Sequence, residues 1–322
     1  MLELLKKGNK SSGISALGNI AIATIKGIAA AISGSGTMFA TTIHSIADAI
    51  NQGMVYFGSA LAEKEPTKRF PTGFGRVVNL FVLLAVIVVS IMAYETLHKG
   101  WEIIQHPKES SNFWLNVIVL SASVLIDGSV LFKVMKEVVQ ESEEDTSEKG
   151  FFKTVIENIK YAAPPTRLVF YEDIVATLGG FVAIIAVIVA HFTGNYIVDG
   201  IGTIIIGLLL IGIAIKIGYE NTVGLIGVAA PKKVEHRVAE IILGHSKVVD
   251  IRNLRVIQEG RQYHVEGYIE LEKGMALADA DDIKFEVVEL LMQDKDVDDA
   301  TLGVIESDDV QSFNLDEENK GD

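Results

Sequence analysis

The chain has no cysteine among its 322 residues. Disulfides and thiolate metal sites are therefore excluded, and any metal must be held by nitrogen and oxygen donors. Basic residues are also scarce: 28 lysines and arginines stand against 42 acidic residues, for a formal net charge of −14. That balance argues against nucleic acid as a partner. What the chain has in excess is apolar character, with 49% hydrophobic residues and a positive mean hydropathy. An ordinary soluble protein with a charged shell is less apolar than this. Most of the apolar residues precede residue 219, and most of the charge follows it or falls in one loop.

A helix that crosses a bilayer needs about 20 mainly apolar residues. Six stretches meet this: residues 12–33, 36–61, 77–104, 113–135, 168–192 and 196–217. The first two are rich in Gly, Ala, Ser and Thr, and carry Lys26, His44 and Asp48. Such composition suits close packing inside a bundle better than lipid contact. Basic residues set orientation. Lys6, Lys7 and Lys10 precede the first span, Lys64, Lys68, Arg69 and Arg76 follow the second, and Lys133, Lys136, Lys149, Lys153, Lys160 and Arg167 lie between the fourth and fifth. The alternate loops hold only Lys99 and Lys108. Both termini are expected in the cytoplasm. The opening residues read as a cytoplasmic lead-in without a cleavage pattern or an Arg-rich amphipathic leader, and a cell membrane is the simpler expected location.

Residues 136–166 form the one long cytosolic loop. Its acidic run, residues 141–148, is expected to be solvated. Residues 151–161 carry apolar side chains at helical spacing with lysines opposite, which predicts a short helix on the membrane surface. Pro164-Pro165 ends it and opens the next span.

After residue 219 the pattern is that of a soluble domain. A helix from about Pro231 to Leu243, strands over residues 248–259 and 261–271 joined at Glu259-Gly260, a helix over 276–292 and a strand over 301–305 give the order αββαβ. The fold class expected is an α-helical membrane protein: a six-helix transmembrane domain over 1–218 and a small α+β cytosolic domain over 219–309. Residues 310–322 read as an acidic, disordered tail.

Ionisable groups at membrane depth are costly and mark ion or proton pathways. His44 and Asp48 are four apart, on one helical face and one turn from each other. Glu172 and Asp173 form a second acidic cluster in another span. Adjacent residues point about 100° apart on a helix, so Asp173 is favoured as ligand. Glu172 stays open between ligand, proton acceptor and helix-start charge. Asn51 can share the face of His44 and Asp48 and act as an outer partner of the ligands. Lys26 reads as a snorkelling or ion-paired residue, Asp199 as a helix N-terminal acid and Asp127 as undecided. His98, His106, His191, His236, His245 and His264 read as ordinary surface or core residues.

These features together resemble the cation diffusion facilitator family. The resemblance runs through Asn19 and Lys26, Ser33-Gly34-Ser35, and Ile43-His-Ser-Ile-Ala-Asp48. It continues through Phe70-Pro-Thr-Gly-Phe-Gly-Arg76, Tyr94-Glu95 and His106-Pro107. Asn51-Gln52 and Glu172-Asp173 with Leu178-Gly179 look most like the branch containing animal zinc transporter nine. The resemblance implies a homodimeric exporter that exchanges cytoplasmic divalent metal for protons, with His44, Asp48 and Asp173 as metal ligands. Metal and proton would compete for those donors. One imidazole with carboxylates suits Zn²⁺ and tolerates Mn²⁺ or Fe²⁺. Two departures matter. Val169 stands where the family usually has a ligand, so Glu172 or water must complete the site. Phe70 replaces a loop histidine, so the secondary site of some members is expected to be absent. Arg252 and Tyr268 stand at cytosolic positions where histidines are common, with Glu306 and Asp308 nearby, so no cytosolic zinc cluster is expected and the domain would serve as a dimer contact.

The transported ion and protons are the only small partners implied; no cofactor and no enzymatic activity are expected. A non-transporting membrane metal sensor or scaffold is the competing class. An intramembrane hydrolase ranks last, because no His-Glu-x-x-His motif occurs.

Overall fold

A computed structural model describes residues 8–142, 150–159, 164–259 and 262–313. The chain divides into two compact units. One comprises residues 1–64 and 80–221, the other 65–79 and 222–322.

The first unit is a bundle of long helices: α1 (Lys10–Ser33), α2 (Gly36–Ala62), α3 (Val77–Gln105), α4 (Phe113–Ser142), α6 (Pro164–Thr193) and α7 (Ile197–Ile226), with the short α5 (Phe151–Asn158) between α4 and α6. The run Ser33-Gly34-Ser35-Gly36 makes the α1–α2 break. Gly34 takes φ 69° and its N–H returns to the Ala30 carbonyl, while the Ser35 hydroxyl accepts from the Met38 N–H and starts α2. Glycine supplies the left-handed turn that ends a helix, and serine the cap that begins the next.

Among the described residues, five of these six long helices are long and apolar enough to cross a membrane, and α2 falls short. Its threonines, His44, Asp48 and Asn51 lower its hydropathy, and fourteen of its 27 residues are buried by neighbours. Thr41 and Thr42 return their hydroxyls to the Met38 carbonyl, which satisfies them within the helix. The outward faces of the bundle carry large apolar side chains, including Ile14, Leu17, Leu84, Ile91, Phe181 and Ile185. Exposed isoleucine, leucine and phenylalanine in such density fit a lipid surrounding. The helices α4 and α7 run past the ends expected from hydropathy. In α7 the charged extension is held by Lys216 and Glu220, 3.1 Å apart at i,i+4 spacing.

Small residues set the helix spacing. A Cβ on Gly100 of α3 would lie 2.9 Å from the Gly200 carbonyl of α7, and a Cβ on Gly200 would lie 2.9 Å from the Gly100 carbonyl. The two backbones touch there, as small-residue crossings in membranes allow. Gly200→Val should therefore force α3 and α7 apart and lower stability by about 2–3 kcal/mol. The thermal midpoint of the purified variant measures this, and an unchanged midpoint would contradict the contact. Gly180 of α6 likewise meets Val124 of α4 closely, whereas Gly53 of α2 faces open space.

The loop helix α5 is formed as expected. Val155 and Ile159 pack on Val134, Val138 and Phe170, while Phe152 and Ile156 stay exposed. Most of the acidic run 141–148 lies outside the described residues.

The second unit is a four-stranded sheet in the order β1-β2-β3-β4, with β1 (Val228–Ala229), β2 (Val248–Glu259), β3 (Gln262–Leu271) and β4 (Val297–Glu306). Neighbouring strands β1, β2 and β3 pair antiparallel. Strand β4 pairs parallel with β3 through α9 (Leu277–Met292). The helices α8 (Lys232–Leu243) and α9 supply Ile242, Val287 and Leu291 to the core, against Ile251, Val265 and Ile269 of the sheet. The β2–β3 pairing extends to Glu259↔Gln262, and Gly260 of the expected hairpin turn lies outside the described residues. The two-residue β1 and the early start of β4 were not legible from alternation, because each is short of a full apolar repeat.

The expected tail needs a correction at its start. Phe313 is buried in the core of this unit, and the Asp250 carboxylate accepts the backbone N–H groups of Ser312 and Phe313. The segment up to Phe313 is thus part of the fold; residues 314–322 lie outside the described ones. Residues 65–79 also belong to this unit. Arg76 donates to Glu259 at 2.5 Å and to the Leu225 carbonyl at 3.4 Å.

Candidate metal-transport site

The helix α2 presents His44 and Asp48 on one face, with His44 Nε2 3.4 Å from Asp48 Oδ2. The imidazole is buried, and neither ring nitrogen has a hydrogen-bond partner. Buried polar atoms are nearly always paired, so two orphaned nitrogens on one histidine mark a place built for something other than internal hydrogen bonding. Across from α2, α6 carries the acidic pair. Asp173 is half-buried with Oδ2 enclosed and without a hydrogen-bond partner, so its carboxylate faces the interior and not lipid. The Asp48 charge acts on both Asp173 and Glu172.

Glu172 is held differently. The Asn51 amide donates to its Oε1 at 2.5 Å, and the Gln52 amide approaches its Oε2 at 3.5 Å. Asn51 thus bonds Glu172 of α6, one of the four expected ligands, rather than His44 or Asp48 on its own helix. A cavity of about 20 Å³ lies beside these groups, lined by Asp48, Asn51 and Glu172 with apolar side chains of α3 and α7. That is room for one water-sized guest.

The structure does not draw the four expected ligands into one shell. Among the described residues, no three His, Asp or Glu side chains converge closely enough to hold one metal ion together. His44 and Asp48 lie 3.4 Å apart without a hydrogen bond, Asp173 faces the same interior, and Glu172 is engaged by amides. Val169 packs in the apolar cluster around Val134 and Phe170, so that position adds no donor.

Other expected positions resolve as follows. Lys26 is buried, donates to Ser45 Oγ at 2.9 Å and lies 4.0 Å from Asp127. Asp199 stands in the first turn of α7, yet its carboxylate caps α2. It accepts from the Gly36 and Thr37 N–H groups and the Ser35 and Thr37 hydroxyls at 2.6–3.1 Å. The Phe70 ring packs against Phe74 at a tilt and its side chain brings no donor to the loop. In the second unit, Arg252 pairs with Asp308 at 3.0 Å and lies 3.9 Å from Glu270, and Glu306 accepts from the Gly274 N–H. Tyr268 covers Gly303 on the sheet. His191 stacks on Phe113, His245 pairs with Glu286, and His264 sits between Glu266 and Asp299. Sequence reasoning missed Gln52 and Ser45 as partners. It also left Asp127 unplaced, although Asn116, Ser123 and Asp127 trace the inward face of α4 at spacings of seven and four.

Two family models match this chain. The cation efflux transmembrane domain covers residues 13–226, and the cytoplasmic domain of cation efflux proteins covers residues 230–304. The chain belongs to the cation efflux family. That is the family whose residues the sequence resembles, and it is a family of membrane transporters. The bundle of this cation efflux protein is therefore an integral membrane domain, and the sheet unit is its C-terminal domain. Among its relatives is the mouse protein named "Proton-coupled zinc antiporter SLC30A9, mitochondrial". It is 26% identical over 230 residues, which cover 70% of this chain and 39% of the relative. Metal tolerance protein C4 of Arabidopsis thaliana is 26% identical, covering 67% of this chain and 46% of its own. An uncharacterized transporter of Methanocaldococcus jannaschii is 24% identical, covering 85% and 89%. The chain spans less than half the length of the animal SLC30A9 relatives and of metal tolerance protein C4.

Proposed function

We propose that this cation efflux protein exports divalent metal from the cytoplasm in exchange for protons, with zinc as the first candidate and manganese or iron as the second. The observation that carries the reading is His44: a buried imidazole with two unpartnered nitrogens, one turn from Asp48 and across from the enclosed oxygen of Asp173. An imidazole and two carboxylates form the nitrogen–oxygen donor set that zinc takes, and the carboxylates offset its charge in a low-dielectric interior. The same donors bind protons, so each species displaces the other. In this reading α2 and α6 close on the ion during the transport cycle, which completes a shell that is open in the conformation described. Glu172, clamped by Asn51 and Gln52, is the fourth candidate donor. The C-terminal domain mediates a homodimer, both termini are cytoplasmic, and a cell membrane houses the protein. The mitochondrial address in the relatives' names is the alternative.

The competing reading is a membrane-anchored metal sensor or scaffold. The apolar packing of Val169 and the absence of a converged three-donor group among the described residues favour it. Proteoliposomes containing the full chain decide between them. Imposing a pH gradient should drive zinc flux, with competition by manganese and iron reporting preference; a scaffold gives no flux above protein-free vesicles.

A further inference from the structure

Among the described residues, Lys26 is the lysine buried with the bundle's ionisable groups that the transport reading does not use. It comes from α1, is 3% exposed, and points at Ser45, the residue after His44. An ammonium in such a place needs a counter-charge. The counter-charge is Asp127 of α4, yet the two stand 4.0 Å apart, and the same Asp127 oxygen already accepts from the Ser123 hydroxyl at 3.0 Å. The ion pair is loose. The charged and titratable groups acting with Lys26 are His44 and Asp48 from α2 and Asp127 from α4, with Ser45 bonded to the ammonium and Ser123 bonded to Asp127. Lys26 acts electrostatically on both His44 and Asp48, and Asp127 acts on Asp48 and Asp173. The pair therefore lies inside the field of the proposed metal site without supplying a ligand to it.

We infer that Lys26 and Asp127 form a tethered, mutually cancelling ion pair that tunes the affinity of the site for a divalent cation. This rests on the transport reading above. Asp127 alone adds a negative charge that holds a metal more tightly, and Lys26 alone adds a positive charge that repels it. Together they leave the His44, Asp48 and Asp173 donors to set binding. An exchanger needs this balance, because the ion must leave the site as well as enter it. The loose contact lets the ammonium shift toward or away from the site as the ion arrives.

The test is calorimetric zinc titration of purified full-length protein at fixed pH. Lys26→Met should bind zinc on the order of tenfold more tightly or better, as removal of one nearby like charge requires at protein-interior dielectric. Lys26→Gln, which keeps a donor for Ser45, should show the same gain. Asp127→Asn should weaken binding by a similar factor. The Lys26→Met/Asp127→Asn double variant should return to within about threefold of wild type, and Lys26→Arg should stay near wild type. If the folded neutral variants at Lys26 bind zinc as wild type does, the pair is only a helix-to-helix strut and the inference fails. A double variant weaker than either single one would also overturn it. Asp48→Ala, titrated in parallel, separates the two levels. Loss of zinc binding there with flat Lys26 and Asp127 variants removes this inference alone, whereas wild-type binding there removes the transport site beneath it.

Discussion

Asp48→Ala should abolish zinc transport in proteoliposomes, cutting the rate by a hundredfold or more, on the order expected when a group that holds the metal is removed. The dimer and the thermal midpoint should be preserved. The reason lies in how little else Asp48 does. Its close polar contact among the described residues is His44 at 3.4 Å, and its side chain lines the small interior cavity. Removing it takes away a carboxylate that packing does not require, so the fold has little to lose. Asp48→Asn keeps the shape without the charge and should be equally inactive, which separates electrostatics from volume. Transport at the wild-type rate by either variant would dismantle the proposed site. Loss of transport together with loss of the dimer would assign Asp48 to structure instead.

Asp199→Ala should have the largest effect on stability, about 3–5 kcal/mol, because it strips a buried charged acceptor from four donors at once. Two of those donors are the backbone N–H groups that open α2, which carry the positive end of that helix's dipole. The carboxylate is buried, so the donors it leaves behind lose their acceptor without ready access to water. The neighbourhood leaves no room for repair by larger residues: a Cβ on Gly36 would fall 2.2 Å from Ile103 and 2.5 Å from Thr203. A thermal unfolding series of wild type, Asp199→Asn and Asp199→Ala in one detergent should rank in that order, since asparagine retains one acceptor oxygen. An alanine variant as stable as wild type would show that α2 is capped by other means.

Much of the architecture could be read from the residues because long apolar runs and lysine-rich loops respond directly to the bilayer. The helices start and stop near Gly34, Pro107 and Gly194 for backbone reasons visible in the sequence. Contacts between distant segments were less visible. Asp199 looked like an acid serving its own helix, and only the folded bundle shows it serving α2. Asn51 was placed by its helical face, which correctly put it beside Asp48, but its partner proved to be Glu172, 121 residues away. Tail residues 310–313 read as solvated because their acidic neighbours dominate the composition. Phe313 was the apolar exception that anchors them. The donors His44, Asp48 and Asp173 stood out because charge at membrane depth is conspicuous. Their degree of closure depends on how far α2 and α6 stand apart, and no local pattern encodes that distance.

The polarity of α2 has a consequence for how the protein is made. A segment with an imidazole, a carboxylate and several amides and hydroxyls partitions poorly into lipid when alone. The preceding segment is apolar, ends in a two-residue connection, and packs alongside α2. Delivery to the bilayer therefore favours the two as a single hairpin, with α1 shielding its companion until the later segments arrive. The residues that bind cargo in the finished molecule are the same ones that make its second segment dependent on its neighbours during biogenesis.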